Sequence, residues 1–171
     1  FAVKSTSVHR EQALLTGLIE AAITPHIFHG NSIKLDMLFC EDIFLYCSDT
    51  HPFFNQSDSK ISLNKIANTS YAQRDYYKSM PYYTVFSRPA SASSAQMEGL
   101  LHLILTGRYI GFLPSNLATP WAAKKRLKRI ELDQMSFSAN IHVAYTEESL
   151  SLRMMQLFRK SVIDAHKTTN K

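Results

Sequence analysis

"GRYIGFLPSNLA", residues 107–118, is the stretch on which the reading of the fold turns. An apolar run ends abruptly at Pro114, and the hydroxyl of Ser115 is placed to open a helix. A strand end meeting a helix start is the arrangement that builds a ligand crevice at the carboxyl edge of an open α/β sheet. The residues before it agree. "SSAQMEGLLHLILTG" reads as a helix opened by a capping box, Ser93 to Gln96, and stopped by Gly107.

Toward the N-terminus, "FAVKSTSV" suits a strand and a hydroxyl-rich turn. Ser7 caps the helix "HREQALLTG", which Gly17 closes, and "LIEAAITP" is a compact buried strand ending at Pro25. Strand, helix and strand make half of a parallel-sheet unit. A parallel sheet is covered on both faces, so an earlier strand and helix are expected to belong to a longer parent protein. "IKLDMLFCEDIFLYC" alternates as two consecutive strands, with Ile33, Leu35 and Met37 on one face and Ile43, Leu45 and Cys47 on another. "SDTHPFFNQSDS" is the expected crossing to a second lobe.

In that lobe, "ISLNKIAN" is a short helix with Ser62 as cap and Ile61 stapled onto Ile66. "SYAQRDYY" and "YYTVFSR" read as strands. After Ser115 a one-turn helix and a restart at Pro120 are expected, then strands in "RIEL" and "SANIHVAYT". The closing "SLSLRMMQLFRKSVIDAH" is an amphipathic helix with Leu150, Met154, Leu157, Phe158, Val162 and Ala165 on its apolar face. The expectation is an α/β chain of two lobes, 1–47 with 144–171 and 48–143, joined by two crossovers.

The composition, 45% hydrophobic and 19% charged over 171 residues, is that of a globular chain. No apolar run approaches the roughly 20 residues of a membrane helix, and no leader opens the sequence. A cytoplasmic protein with no membrane partner is expected, or one whose leader has been removed. Cys40 and Cys47 have no metal-site or disulfide logic and read as buried free thiols. The net charge of +5 is local: without Lys124, Lys125, Arg126, Lys128 and Arg129, the remaining basic residues equal the 14 acidic ones. "KKRLKR" either binds nucleic acid or is a solvated turn, and a charge run without geometry favours the turn.

For catalysis there is no nucleophile elbow, no metal-spaced cluster and no phosphate loop, so neither an enzyme nor a cofactor is expected. His26 and His29 lack a third ligand nearby and read as connector residues. His51, in a His-Pro pair, reads as satisfying a local hydrogen bond. Glu20 and Asp36 read as ordinary strand-edge carboxylates.

Four segments carry a resemblance: "EQALLTGLIEAAITP", "EDIFLYCSDTHPFF", "GRYIGFLPSNLA" and the final strand-then-helix. In this order and register the chain resembles the effector-binding domain of LysR-type transcriptional regulators. The family's N-terminal winged helix-turn-helix and linker helix are not in the sequence, nor is the first strand and helix of its effector domain. The resemblance implies a two-lobed, type 2 periplasmic-binding-protein-like fold with a small-molecule effector held between the lobes. It also implies homodimers or homotetramers, and DNA binding through the absent domain.

On that basis Ser7, at a turn with free backbone N–H groups, is a candidate contact for an acidic effector, with Thr24 and Pro25 at the next strand end. From the second lobe, Gln73 and Arg74 are polar contacts, Arg74 as a bidentate anion clamp, and Tyr76 is an amphipathic wall. The effector is expected to be anionic. The rival reading is an extracytoplasmic solute-binding protein of a transporter, which shares the architecture.

Overall fold

The structure, a computed structural model, describes residues 3–4, 10–25, 28, 31–75 and 84–167. Ser7, Tyr76, His26 and His29 lie outside the described residues. The chain divides into two compact units, Phe1–Cys40 with Ala139–Lys171, and Glu41–Ser138. The crossings fall inside two long strands, β3 (Ile33–Ser48) and β8 (Ser136–Thr146), somewhat before the boundaries expected at 47–48 and 143–144. The expected pair of strands in "IKLDMLFCEDIFLYC" is one continuous strand: the polar "CED" in its middle interrupts hydrophobicity but nothing in it breaks an extended backbone.

In the first unit the strand order is β1 (Val3–Lys4), β2 (Ala21–Thr24), β8, β3. β1 and β2 are parallel, and β2 and β8 antiparallel, with Thr24 opposite His142. Side chains alternate between faces, and both faces are covered. Ala22, Ile33 and Ala144 pack with Leu14 of helix α1 (Arg10–Leu15) and with Ile19. Ala21, Leu38, Val143 and Tyr145 pack with Met155 on the other side. Gly17, at φ +68, provides the expected left-handed stop after α1.

The closing helix differs from its sequence reading. Thr146 caps a short α5 (Glu147–Ser151), and α6 (Arg153–Lys167) starts afresh after an extended Leu152. This break rotates the apolar face. Met155 is fully buried, with Leu150, Phe158, Val162 and Ile163 packed around it, whereas Met154 and Leu157 are exposed. Met37 and Cys40 are exposed as well, against expectation, while Cys47 is buried and its thiol is pushed up to about 12 by desolvation. A polar network ties β3 to α6. Arg159 Nε donates to Asp36 Oδ2 at 2.6 Å and to the Tyr145 hydroxyl oxygen at 3.0 Å, and the Tyr145 hydroxyl donates to Asp36 Oδ2 at 2.8 Å.

In the second unit β3 lies between β6 (Gly111–Pro114) and β7 (Leu127–Arg129), antiparallel to both. β4 (Ala72–Arg74) is parallel to β5 (Ala92–Ser94), and a parallel bridge from Tyr71 to Ile110 joins β4 to the start of β6. Gly111 permits that approach: a Cβ there would stand 3.1 Å from the Ala72 carbonyl oxygen and 2.8 Å from Ile104 Cδ1. Helices α3 (Met97–Leu105) and α4 (Ser115–Ala123) close the core, in which Leu100, Ile104 and Leu113 are fully buried. Each such side chain contributes about 1.5–3 kcal/mol.

Ser62 caps α2 (Leu63–Ala67) by accepting from Lys65 N–H, and Ile61 and Ile66 are both buried, as the sequence indicates. His51 is buried and its Nδ1 accepts from Phe53 N–H at 3.1 Å, the expected local bond. Three readings change. Ser93 and Ser94 belong to β5, so α3 begins after Gln96, whose side chain makes no capping bond, and the capping box expected from Ser93 does not form. Thr84 and Val85 form a helical turn, not a strand. α4 runs through Pro120 without a restart, because Leu117, Ala118 and Trp121 pack it against the core on both sides of the proline.

Two predictions follow from this packing. Gly107 ends α3 at φ +77, and a Cβ there would meet Thr50 Oγ1 at 2.1 Å. Gly107→Ala is therefore expected to cost at least ~1–2 kcal/mol in urea unfolding. The Arg159 hydrogen bond, opposed by burial, holds the Asp36 carboxyl below its ordinary value. A lowered folded-state value contributes stability that is present above the unfolded value and is lost as pH falls through the folded one. Asp36→Asn is expected to cost about 1 kcal/mol at neutral pH. That gap from the unchanged protein should narrow in denaturation curves as pH drops from about 4.

Candidate functional site

The second unit places two buried polar side chains, Gln73 and Arg74, at one end of its strands. β4, β5 and β6 run parallel, so their carboxyl ends, Arg74, Ser94 and Pro114, share one edge. From that edge the chain enters α3 after β5 and α4 directly after β6. β3 runs the opposite way, with Ile43 paired to Pro114. The residues just before Ile43 therefore lie alongside those just after Pro114, which brings Glu41 to Asn116.

Arg74 is 6% exposed, and its Nη2 donates to the Ala95 carbonyl oxygen at 3.1 Å, in the link from β5 to α3. Gln73, at 8% exposed, precedes it on the strand. Ser94 Oγ accepts from Gln96 N–H at 3.2 Å and donates to the Gln96 carbonyl at 2.8 Å, fixing the same link. The half-buried Glu41 is pulled two ways. Desolvation pushes its carboxyl above the ordinary value, while a hydrogen bond from Asn116 and the nearby charge of Arg74 oppose that rise. Asn116 also caps backbone, its Oδ1 accepting from Leu117 N–H at 2.7 Å. The edge thus holds a buried cation, a half-buried carboxyl within reach of its charge and amide groups, which suits a small polar ligand.

In the first unit Thr24 and Pro25 stand at the carboxyl end of β2, Thr24 fully buried and Pro25 half-buried. The structure thus brings Gln73 and Arg74 together within one unit and Thr24 and Pro25 together within the other. Sequence reasoning missed Glu41 and Asn116. Asn116 lies inside "GFLPSNLA" one residue after the expected helix start, so the strand-to-helix signal had already marked its place. Glu41 carried no local signal, because its place at this edge comes from antiparallel pairing with a segment far along the chain.

"KKRLKR" is largely spent on folding. Arg126 Nε pairs with Asp49 Oδ2 at 2.9 Å, Lys128 Nζ with Asp58 Oδ1 at 3.0 Å, and the Arg129 guanidinium carbon lies 3.5 Å from the Phe44 ring centroid. Leu127 is buried between them, and Lys125 turns the chain at φ +56. Among the described residues no helix is long and apolar enough to cross a membrane, and no group of three His, Cys, Asp or Glu side chains is placed to hold a metal.

Comparison with known proteins gives this geometry a family. Residues 3–167 match the family described as the LysR substrate binding domain. The chain is 30% identical over 121 residues to the HTH-type transcriptional activator BauR of Pseudomonas aeruginosa, a match covering 69% of this chain and 39% of that protein's length. Its fold is similar to the regulatory domain of CrgA from Neisseria meningitidis, with TM-score 0.76, 14% identity and coverage of 95% of this chain and 81% of that one. Full-length LysG from Corynebacterium glutamicum, solved with bound effector Arg, aligns at TM-score 0.65 and 16% identity over 92% of this chain and 55% of that one. The α/β fold is accordingly the type 2 periplasmic-binding-protein class found in LysR regulatory domains. The match favours the regulator reading over the transporter one. The chain belongs to the LysR substrate binding domain family.

Proposed function

We propose that this chain is the effector-sensing part of a LysR-type transcriptional regulator, and that its effector is a small charged molecule held at the carboxyl edge of β4 and β6. The observation that carries the reading is Arg74, buried at the end of a parallel strand beside Gln73, with its charge within reach of the Glu41 carboxyl. A buried guanidinium at such an edge gives a strong, directional hydrogen-bonding partner to an acidic group. Thr24 and Pro25 at the end of β2, together with Ser7 and Tyr76, are proposed as further contacts. The effector works by its differential affinity for two arrangements of the regulator, and no bond is made or broken. DNA binding by the parent protein, its association into homodimers or homotetramers, and a cytoplasmic location belong to the same proposal.

A thermal-shift screen of small organic acids and amino acids tests it, since a ligand that binds only the folded state raises the melting temperature. Arg74→Gln is expected to weaken the responding ligand on the order of 10- to 100-fold, the loss of one charged hydrogen bond. An unchanged shift would remove Arg74 from the site. Because three of the five basic side chains in "KKRLKR" are engaged internally, this chain alone is expected to show little affinity for duplex DNA at physiological salt. Tight, salt-dependent binding in a gel-shift titration would refute that assignment.

A further inference from the structure

The charge balance of the β4–β6 edge has a consequence for the kind of effector it accepts. Arg74 is not an isolated charge there: Glu41, which accepts a hydrogen bond from Asn116 at the start of α4, lies within electrostatic reach of its guanidinium. The positions follow from backbone register. Ile43 opposite Pro114 places Glu41 next to Asn116, and the Tyr71–Ile110 bridge brings the end of β4 to the same level. A ligand bearing only an acid group would bind Arg74 at the cost of setting a second anion near a half-buried carboxylate, and like charges brought together out of water are strongly unfavourable. A ligand bearing both signs keeps each charge partnered.

We propose that the effector carries an ammonium or similar cation as well as an acid group, with Glu41 reading the cation and Arg74 the acid. This rests on the β4–β6 edge being the effector site, and it narrows the anionic effector expected from sequence to a zwitterionic one. Glu41 is then a specificity-determining residue: it selects amino-bearing acids against their deaminated counterparts.

The test compares matched pairs that differ only in the amino group: leucine with 4-methylpentanoate, phenylalanine with 3-phenylpropionate, and 4-aminobutyrate with butyrate. Thermal shift and calorimetric titration are read on the unchanged chain, on Glu41→Gln and on Glu41→Asp. At least one amino-bearing member is expected to bind the unchanged chain ten times or more tighter than its partner. Glu41→Gln should shrink that preference below threefold, while Glu41→Asp, which keeps the charge, should largely preserve it. Equal or better binding of the deaminated member, or a preference that survives Glu41→Gln, overturns the proposal. Binding of any member that is untouched by Arg74→Gln places the ligand elsewhere and overturns the site reading instead. No response to any pair counts against that reading too.

Discussion

The antiparallel pairing of β3 with β6, with Ile43 opposite Pro114, is the constraint on which the second unit depends. Pro114 has no N–H to give and cannot extend the strand as a donor, so β6 stops there and the chain turns at once into α4. β3 runs past that end, and its register carries Glu41 level with Asn116, which hydrogen-bonds it. The other flank of β6 is set by Gly111, whose missing side chain lets the Ala72 carbonyl come close. Two small backbone facts in one strand thus place an arginine and a glutamate at the same edge.

The two units are built from the same local physics and use it differently. In the first, both faces of the sheet are covered, by Leu14 of α1 and by Met155 of α6. Its most developed polar cluster, Asp36 with Tyr145 and Arg159, satisfies itself: one carboxylate oxygen accepts from both donors. Beside it runs an open groove of about 500 Å³ lined by Asp36, Met37, Arg159, Lys160, Ile163 and Asp164. In the second unit the polar groups gather instead at strand ends, where backbone donors and acceptors run out of ladder partners. That difference separates a network that staples two elements from an edge suited to hold a ligand.

Much of this was legible in the sequence wherever a residue acts on its own backbone. Gly17 and Gly107 stop helices because a left-handed turn needs no more than one residue to specify it, and Ser62 caps α2 across three positions. The strand that ends on Pro114 was plain for the same reason, and with it the kind of edge it creates. What failed depends on distant partners. β5 is "ASS", too short and polar to announce itself, and it exists because β4 offers it a ladder. Pro120 signals a helix start, yet packing of Leu117, Ala118 and Trp121 carries α4 through it. The face of α6 turned once Leu152 broke the helix, a break that propensity in "SLSLRM" does not show. Arg74 was visible as a candidate, but the charge near it was not.

Sensing sets a magnitude that bears on that nearby charge. Moving a two-state equilibrium from about 1:99 to 99:1 requires a differential affinity of about 5.5 kcal/mol. A hydrogen bond to a charged group is worth ~1.5–3 kcal/mol. One contact with Arg74 therefore falls short of a full switch, and an added like charge near Glu41 would lower it further. Two charged contacts, one to Arg74 and one to Glu41, together reach the required range without leaving a buried charge alone. On the proposed reading such a ligand has to match both signs of the pair, so discrimination and switching would arise from the same two side chains. The fold itself already gives the buried arginine a partner in the Ala95 carbonyl, with the Glu41 carboxyl within reach of its charge, so on the proposed reading an effector would have to outcompete contacts that the fold provides.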